Sequence, residues 1–175
     1  MSWRLEISKT ALLVVDAQEK AMAALGDALQ KKLKRLIEAM SILGVPVYFT
    51  ELLPQKEFGA TLPTLRTLAP EGKTLTRTQF SAGEFAGEIA ASTILLAGVG
   101  GHVSVRQTAY DLRLKGKTPC LVVDAIGSRD ALSQQIALSE MQADKLLLTT
   151  LETCLLELVG GTQHPHYKAI TRIVA

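Results

Sequence analysis

Four runs of aliphatic and β-branched residues, Ala11 to Asp16, Val45 to Glu51, Thr93 to Gly98 and Thr118 to Ala125, restrict the fold more than any other feature of the chain. A strand with one wet face alternates apolar and polar residues, and these runs do not. Unbroken apolar runs of this length belong to strands covered on both faces, as in a parallel sheet with helices on either side. A shorter run, Lys145 to Thr149, and a weaker one, Thr74 to Thr78, bring the expected strands to six.

Helical patterns fill the intervals. Leu29, Leu33, Leu36, Ile37 and Met40 form one apolar stripe at period 3.6, with Asp27 placed to cap its start and Gly44 and Pro46 to end it. Further helices are read at Glu84 to Ala90, His102 to Lys115, Asp130 to Ala143, Leu151 to Val159 and Pro165 to Val174. This alternation predicts an α/β fold of three layers, α/β/α, around a six-stranded, mostly parallel sheet. With no linker-like tract or internal repeat, residues 1–175 read as a single domain.

Lys and Arg number 19 against 17 for Asp and Glu, a net charge of +2 that gives no ground for a nucleic-acid partner. The apolar runs fall well short of the ~20 residues that span a bilayer, so no membrane partner is expected. Residues 1–15 lack the basic end, apolar run and cleavage site of a signal peptide, and the chain is read as cytoplasmic. Cys120 and Cys154 lie in apolar segments without metal-ligand spacing and read as buried free thiols.

In parallel sheets the ligand crevice lies beyond the carboxyl ends of the strands. The first candidates are therefore Asp16 and Gln18, Thr50 and Glu51, Arg77, Gly98 to Ser104, and Asp124 to Arg129. Nucleotide motifs fail at these places. Gly98 and Gly100 begin a dinucleotide-type turn, but Val103 stands where its third glycine would be. Gly72-Lys73-Thr74 and Gly116-Lys117-Thr118 have Thr67 and Asp111 in place of the first P-loop glycine. No cofactor is expected. Lys31, Lys32, Lys34 and Arg35 alternate with helix-face leucines and read as a solvated face.

Three strand-end features remain: ALLVVDAQ with Asp16, RTQFSA with Arg77, and GVGGHVSVRQTAYDL from Gly98 to Leu112. In this order they resemble the isochorismatase-like cysteine hydrolases, and most of all the isochorismatase-domain-containing group. The likeness extends through VPVYFTE, Pro54, the Gly59 region, LPTL, VVDAIGSR and LVGGTQHPHYK, roughly residues 11 to 173. It implies the Rossmann-like isochorismatase fold, a homo-oligomer, and a small-molecule ligand with a carbonyl or carboxylate.

The family's catalytic set is an Asp that takes the thiol proton, a Lys that favours the thiolate and a Cys that attacks. Asp16, Arg77 and Ser104 occupy those positions here. The resemblance places substrate and oxyanion contacts at Gln18, Val99 and Gly100, with the amides of Gly100 and Ser104 as oxyanion donors and a cis peptide between Val99 and Gly100. Metal binding as in nicotinamidases would need His and Asp after the second strand; Glu51, Gln55 and Glu57 stand there without a His, and no metal is expected.

A cation and a helix N-terminus lower a thiol's pKa from ~8.5 enough to form thiolate, but a serine hydroxyl needs a strong base held against it. Arg77 keeps the charge of Lys but cannot exchange a proton. The sequence is therefore read as a family member with a small-molecule crevice and impaired catalysis. Beside it stand an active amide or ester hydrolase using Ser104, and a structural or regulatory oligomer subunit. A serine-hydrolase order, Ser104, Asp124, His164, is present, although the segment His102-x-Ser104-x-Arg106 lacks the glycines of a nucleophile elbow. Plainer roles are also open: Ser104 can satisfy first-turn amides, Arg77 can be the ion-pair partner of Asp16, Asp124 to Arg129 can form a capping turn with Arg129 at the crevice wall, and His164 and His166 can cap a helix.

Overall fold

The computed structural model describes residues 4–53 and 57–175. Pro54 and Gln55, singled out above, lie outside them. Six strands, β1 (Thr10–Val15), β2 (Val47–Leu52), β3 (Lys73–Arg77), β4 (Thr93–Val99), β5 (Thr118–Gly127) and β6 (Leu147–Thr149), form one sheet in the order β3-β2-β1-β4-β5-β6. Every neighbouring pair is parallel.

The central strand shows why its sequence is apolar throughout. All six residues of β1 are buried. Side chains alternate across a strand, so Leu12 and Val14 enter one core while Ala11, Leu13 and Val15 enter the other. The first core also takes Leu33, Leu36 and Met40 of α2 (Asp27–Leu43), Leu155 of α6 (Leu151–Val159) and Ile170 of α7 (Tyr167–Val174). The second takes Ala109 and Leu112 of α4 (Arg106–Leu114) and Ala137 and Met141 of α5 (Ala131–Ala143). Two short helices, α1 (Glu19–Ala23) and α3 (Pro63–Arg66), are not legible as periodic stripes because each is about one turn long.

Several boundaries differ from the sequence reading. Gly26, not Asp27, is the N-cap of α2, and Asp27 is its first residue without a side-chain cap bond; Gly44 ends the helix in the left-handed region as expected. The helix read at Glu84 to Ala90 is a 3-10 turn, Gly83–Gly87, bounded by two poor helix formers. The helix read from His102 opens instead as a π turn, Gly101–Val105, and only then becomes α4. The last helix begins at Tyr167 rather than Pro165; in the turn before it the His166 amide donates to His164 Nδ1 at 3.1 Å.

Strand β5 runs two residues beyond Ala125. Leu96 pairs with Leu121 and Gly98 with Ile126, so two steps along β4 oppose five along β5. This bulge releases Asp124 from the ladder. Its carboxylate meets Lys32 Nζ at 2.8 Å and accepts from the Leu151 amide at 2.8 Å. Asp124 thus holds the first amide of α6, whose N-cap is Thr150, while Asp130 caps α5 through the Ser133 amide. Across the sheet, Gly98 has φ +120°, and a Cβ there would lie 2.1 Å from the Val15 carbonyl oxygen. Only glycine lets the ends of β1 and β4 approach so closely. Among the described residues no helix is long and apolar enough to cross a membrane.

Candidate functional site

Strands β1 and β4 are neighbours at the centre of the sheet, but α2 after β1 packs on one face and α4 after β4 on the other. The chain therefore diverges at the carboxyl ends of these two strands and leaves a crevice, as at the switch point of any open α/β sheet. Its volume is about 340 Å³. Asp16, Gln18, Val99, Gly100 and Ser104, all expected from the sequence, line it together with Ala21, Leu52, Phe58, Phe80, His102, Val103 and Arg129. Larger depressions, of about 510 Å³ beside α5 and 540 Å³ at the amino ends of β2 and β3, contain none of Asp16, Gln18, Arg77, Val99, Gly100 and Ser104.

Asp16 follows β1 with φ +51°, in the left-handed region. Its amide donates to the Thr50 carbonyl at 3.2 Å and its carbonyl accepts from the Gln18 amide at 2.7 Å, which holds the turn. Arg77, at the end of β3, reaches beneath it from two strands away. Nη1 donates to Asp16 Oδ1 at 2.6 Å and Nη2 to Oδ2 at 2.9 Å, while Thr50 Oγ1 donates to Oδ1 at 3.0 Å. The Arg77 side chain is 0% exposed and that of Asp16 9%. Arg77 Nη2 also donates to the Phe80 carbonyl at 2.8 Å, whereas its Nε has no partner. Both carboxylate oxygens are thus engaged by a guanidinium that cannot carry a proton away.

Ser104 sits on the π turn, buried, and its hydroxyl makes no hydrogen bond to any described residue. Gly100 keeps the space beside it open: φ is +77°, and a Cβ would come within 3.4 Å of Ser104 Oγ. The expected cis peptide between Val99 and Gly100 is trans. Of the two expected oxyanion donors, the amides of Gly100 and Ser104, the first is taken, since the Gly100 amide donates to the Gly127 carbonyl at 2.9 Å. Extension of β5 past its bulge pairs Val99 with Gly127 and brings that carbonyl there.

Gln18 is equally committed. Its Nε2 donates to the Leu52 and Gly59 carbonyls at 3.2 and 2.6 Å, and its Oε1 accepts from the Leu52 amide at 2.9 Å. It latches the crevice wall rather than presenting a free amide. Glu51 acts similarly, accepting from the Thr61 amide and hydroxyl at 2.7 and 2.8 Å. Neither Asp124 nor His164 lines the crevice, so the order Ser104, Asp124, His164 does not assemble there. Among the described residues no three His, Cys, Asp or Glu side chains gather as a metal-binding group.

Sequence reasoning missed the aromatic lining, Phe58 and Phe80. Phe80 carried a usable signal: it lies three residues beyond Arg77, inside the motif already singled out. His102, with a buried Nδ1 that has no partner among the described residues, also belongs to the lining and falls within the Gly98 to Ser104 segment expected from the sequence.

Residues 10–153 match the isochorismatase domain family. The chain is 32% identical over 180 residues to isochorismatase domain-containing protein 2 of Danio rerio, covering 98% of this chain and 90% of that protein. Over 176 residues it is 32% identical to isochorismatase domain-containing protein 1 of Salmo salar, which covers 94% of this chain; the chain spans only 60% of the length of that relative. Among solved structures, one described as the MAR1 ribonuclease of Caenorhabditis elegans superposes with a TM-score of 0.90 at 33% identity, covering 98% of this chain and 92% of the other. The octameric Escherichia coli YcaC hydrolase shares the fold, with a TM-score of 0.86 at 19% identity over 98% and 96% of the two chains.

Proposed function

Because the chain belongs to the isochorismatase family, we propose that it is a single-domain, homo-oligomeric member whose crevice takes a small molecule with a carbonyl or carboxylate, and whose hydrolytic chemistry is impaired by Ser104 at the nucleophile position. One observation carries the reading: the Asp16 carboxylate, the base that Ser104 would need, is held on both oxygens by Arg77. The occupied Gly100 amide supports it, because an oxyanion would have to compete with the Gly127 carbonyl.

The test is Ser104→Cys. Its thiol is expected to alkylate with iodoacetamide near neutral pH faster than a free thiol, and small-amide hydrolysis should rise above the wild-type background. Cys120 and Cys154 leave this measurement clean, since both are buried and burial pushes the Cys120 thiol up to about 12 and raises that of Cys154. Wild-type turnover at ordinary enzyme rates, ~1–10³ s⁻¹, abolished by Ser104→Ala would replace the reading with an active serine hydrolase. One observation favours a second substrate class: the C. elegans relative is described as a ribonuclease. A short RNA therefore belongs in the same panel, and its Ser104-dependent cleavage would establish that alternative.

A further inference from the structure

Of the carboxylate and guanidinium groups that line the crevice, the one without a partner among the described residues is positive. Asp16 is the lining's carboxylate, and Arg77 neutralises it from beneath. Arg129, by contrast, makes no ion pair and no hydrogen bond among the described residues. Its neighbour Asp130 is engaged at the start of α5, accepting from the amide and hydroxyl of Ser133. The rest of the lining is largely apolar, with Leu52, Val99, Phe58 and Phe80, and Phe80 is 54% exposed at the mouth.

We infer that Arg129 is the specificity-determining residue of this crevice and that the ligand is a small monocarboxylate with a flat apolar body, its carboxylate at the Arg129 guanidinium and its body among Phe58, Phe80 and Leu52. This deepens the small-molecule reading above and rests on it. The size follows from the volume, which is at the low end of the ~300–1,000 Å³ usual for ligand pockets. The charge follows from the planar fork of an arginine without an internal partner, which matches a carboxylate bidentately. The apolar body follows from an exposed aromatic side chain at a concave mouth, which gains by being covered.

The experiment compares benzoate with benzamide, a neutral molecule of nearly the same shape, by titrating each into wild type, Arg129→Gln and Arg129→Lys and following amide and methyl NMR shifts at Ala21, Leu52 and Val99. Benzoate is expected to bind wild type about fivefold or more tightly than benzamide, as one partly exposed charge-assisted contact would give. In Arg129→Gln the ratio should fall to about one with benzamide affinity unchanged, and in Arg129→Lys part of the preference should return. A benzoate preference that survives Arg129→Gln, or equal affinities in wild type, overturns the role of Arg129 while leaving a small-molecule crevice. If neither probe moves the crevice resonances, the crevice reading falls and this inference falls with it.

Discussion

Replacing Arg77 by Met is expected to destabilise the fold by about 3–5 kcal/mol, the usual cost of leaving one partner of a buried pair uncompensated. The structure sets the size. The side chains are 0% and 9% exposed, so water cannot replace the two lost donors at 2.6 and 2.9 Å, and the Phe80 carbonyl loses its partner as well. Against a total stability of ~5–15 kcal/mol, the loss should lower Tm by roughly 6–20 °C in a chain of this size. Asp16→Asn alone should cost a comparable amount, because it strands the Arg77 cation. Asp16→Asn combined with Arg77→Met should cost less than the sum by ~2–3 kcal/mol, since neither charge then remains. Urea unfolding midpoints for the four proteins provide the double-mutant cycle. A loss below ~1 kcal/mol in Arg77→Met, or additive effects, would refute the claim that a closed ion pair occupies the base of the crevice.

Two further outcomes follow from burial and exposure. Unfolded thiols titrate near ~8.5, whereas burial pushes Cys120 up to about 12 and also raises Cys154. The unfolded chain therefore releases protons that the folded chain keeps. The thiols' contribution to stability is complete below ~8.5 and is lost as pH climbs towards about 12, so the urea midpoint should fall less steeply between pH 9 and 11 in Cys120→Ala/Cys154→Ala than in wild type; equal slopes would contradict this. On α5, Leu132 is 63% and Ile136 60% exposed, one helical turn apart. If this face joins copies of the chain, Leu132→Asp/Ile136→Lys should lower the mass seen by light scattering, and a wild-type mass of 18.8 kDa at every concentration would overturn the homo-oligomer.

The sheet was legible because burial on both faces writes itself into composition: β1 could be read from six consecutive apolar or small residues without knowing its neighbours. Helices failed where local propensity was weak or overridden. Gly83–Gly87 tightened to a 3-10 turn, and the start of the His102 helix widened to a π turn that seats Ser104. The candidate site was legible as a set of positions, since Asp16, Gln18, Val99, Gly100 and Ser104 all reach one crevice with Arg77 beneath.

What the sequence could not disclose was which polar groups in that set are free. Hydrogen-bond partners are tertiary facts: the Gly100 amide is engaged only because a bulge lengthens β5 to Gly127, and the Gln18 amide only because Leu52 and Gly59 converge on it. Motif position alone would have made both of them ligand donors. Buried polar groups seek partners wherever the fold offers them, so a place in a motif does not by itself show which groups a ligand would meet unpaired. Asp16 is the decisive case. Its identity fits a general base, but Arg77 and Thr50 already donate three hydrogen bonds to its two oxygens, so it is first of all the ion-pair partner of Arg77. The side-chain groups left without a partner among the described residues include the Ser104 hydroxyl, the His102 Nδ1 and the Arg129 guanidinium, the last a ready clamp for an anion. On the reading proposed above, that set serves to hold a carboxylate, not to cleave a bond.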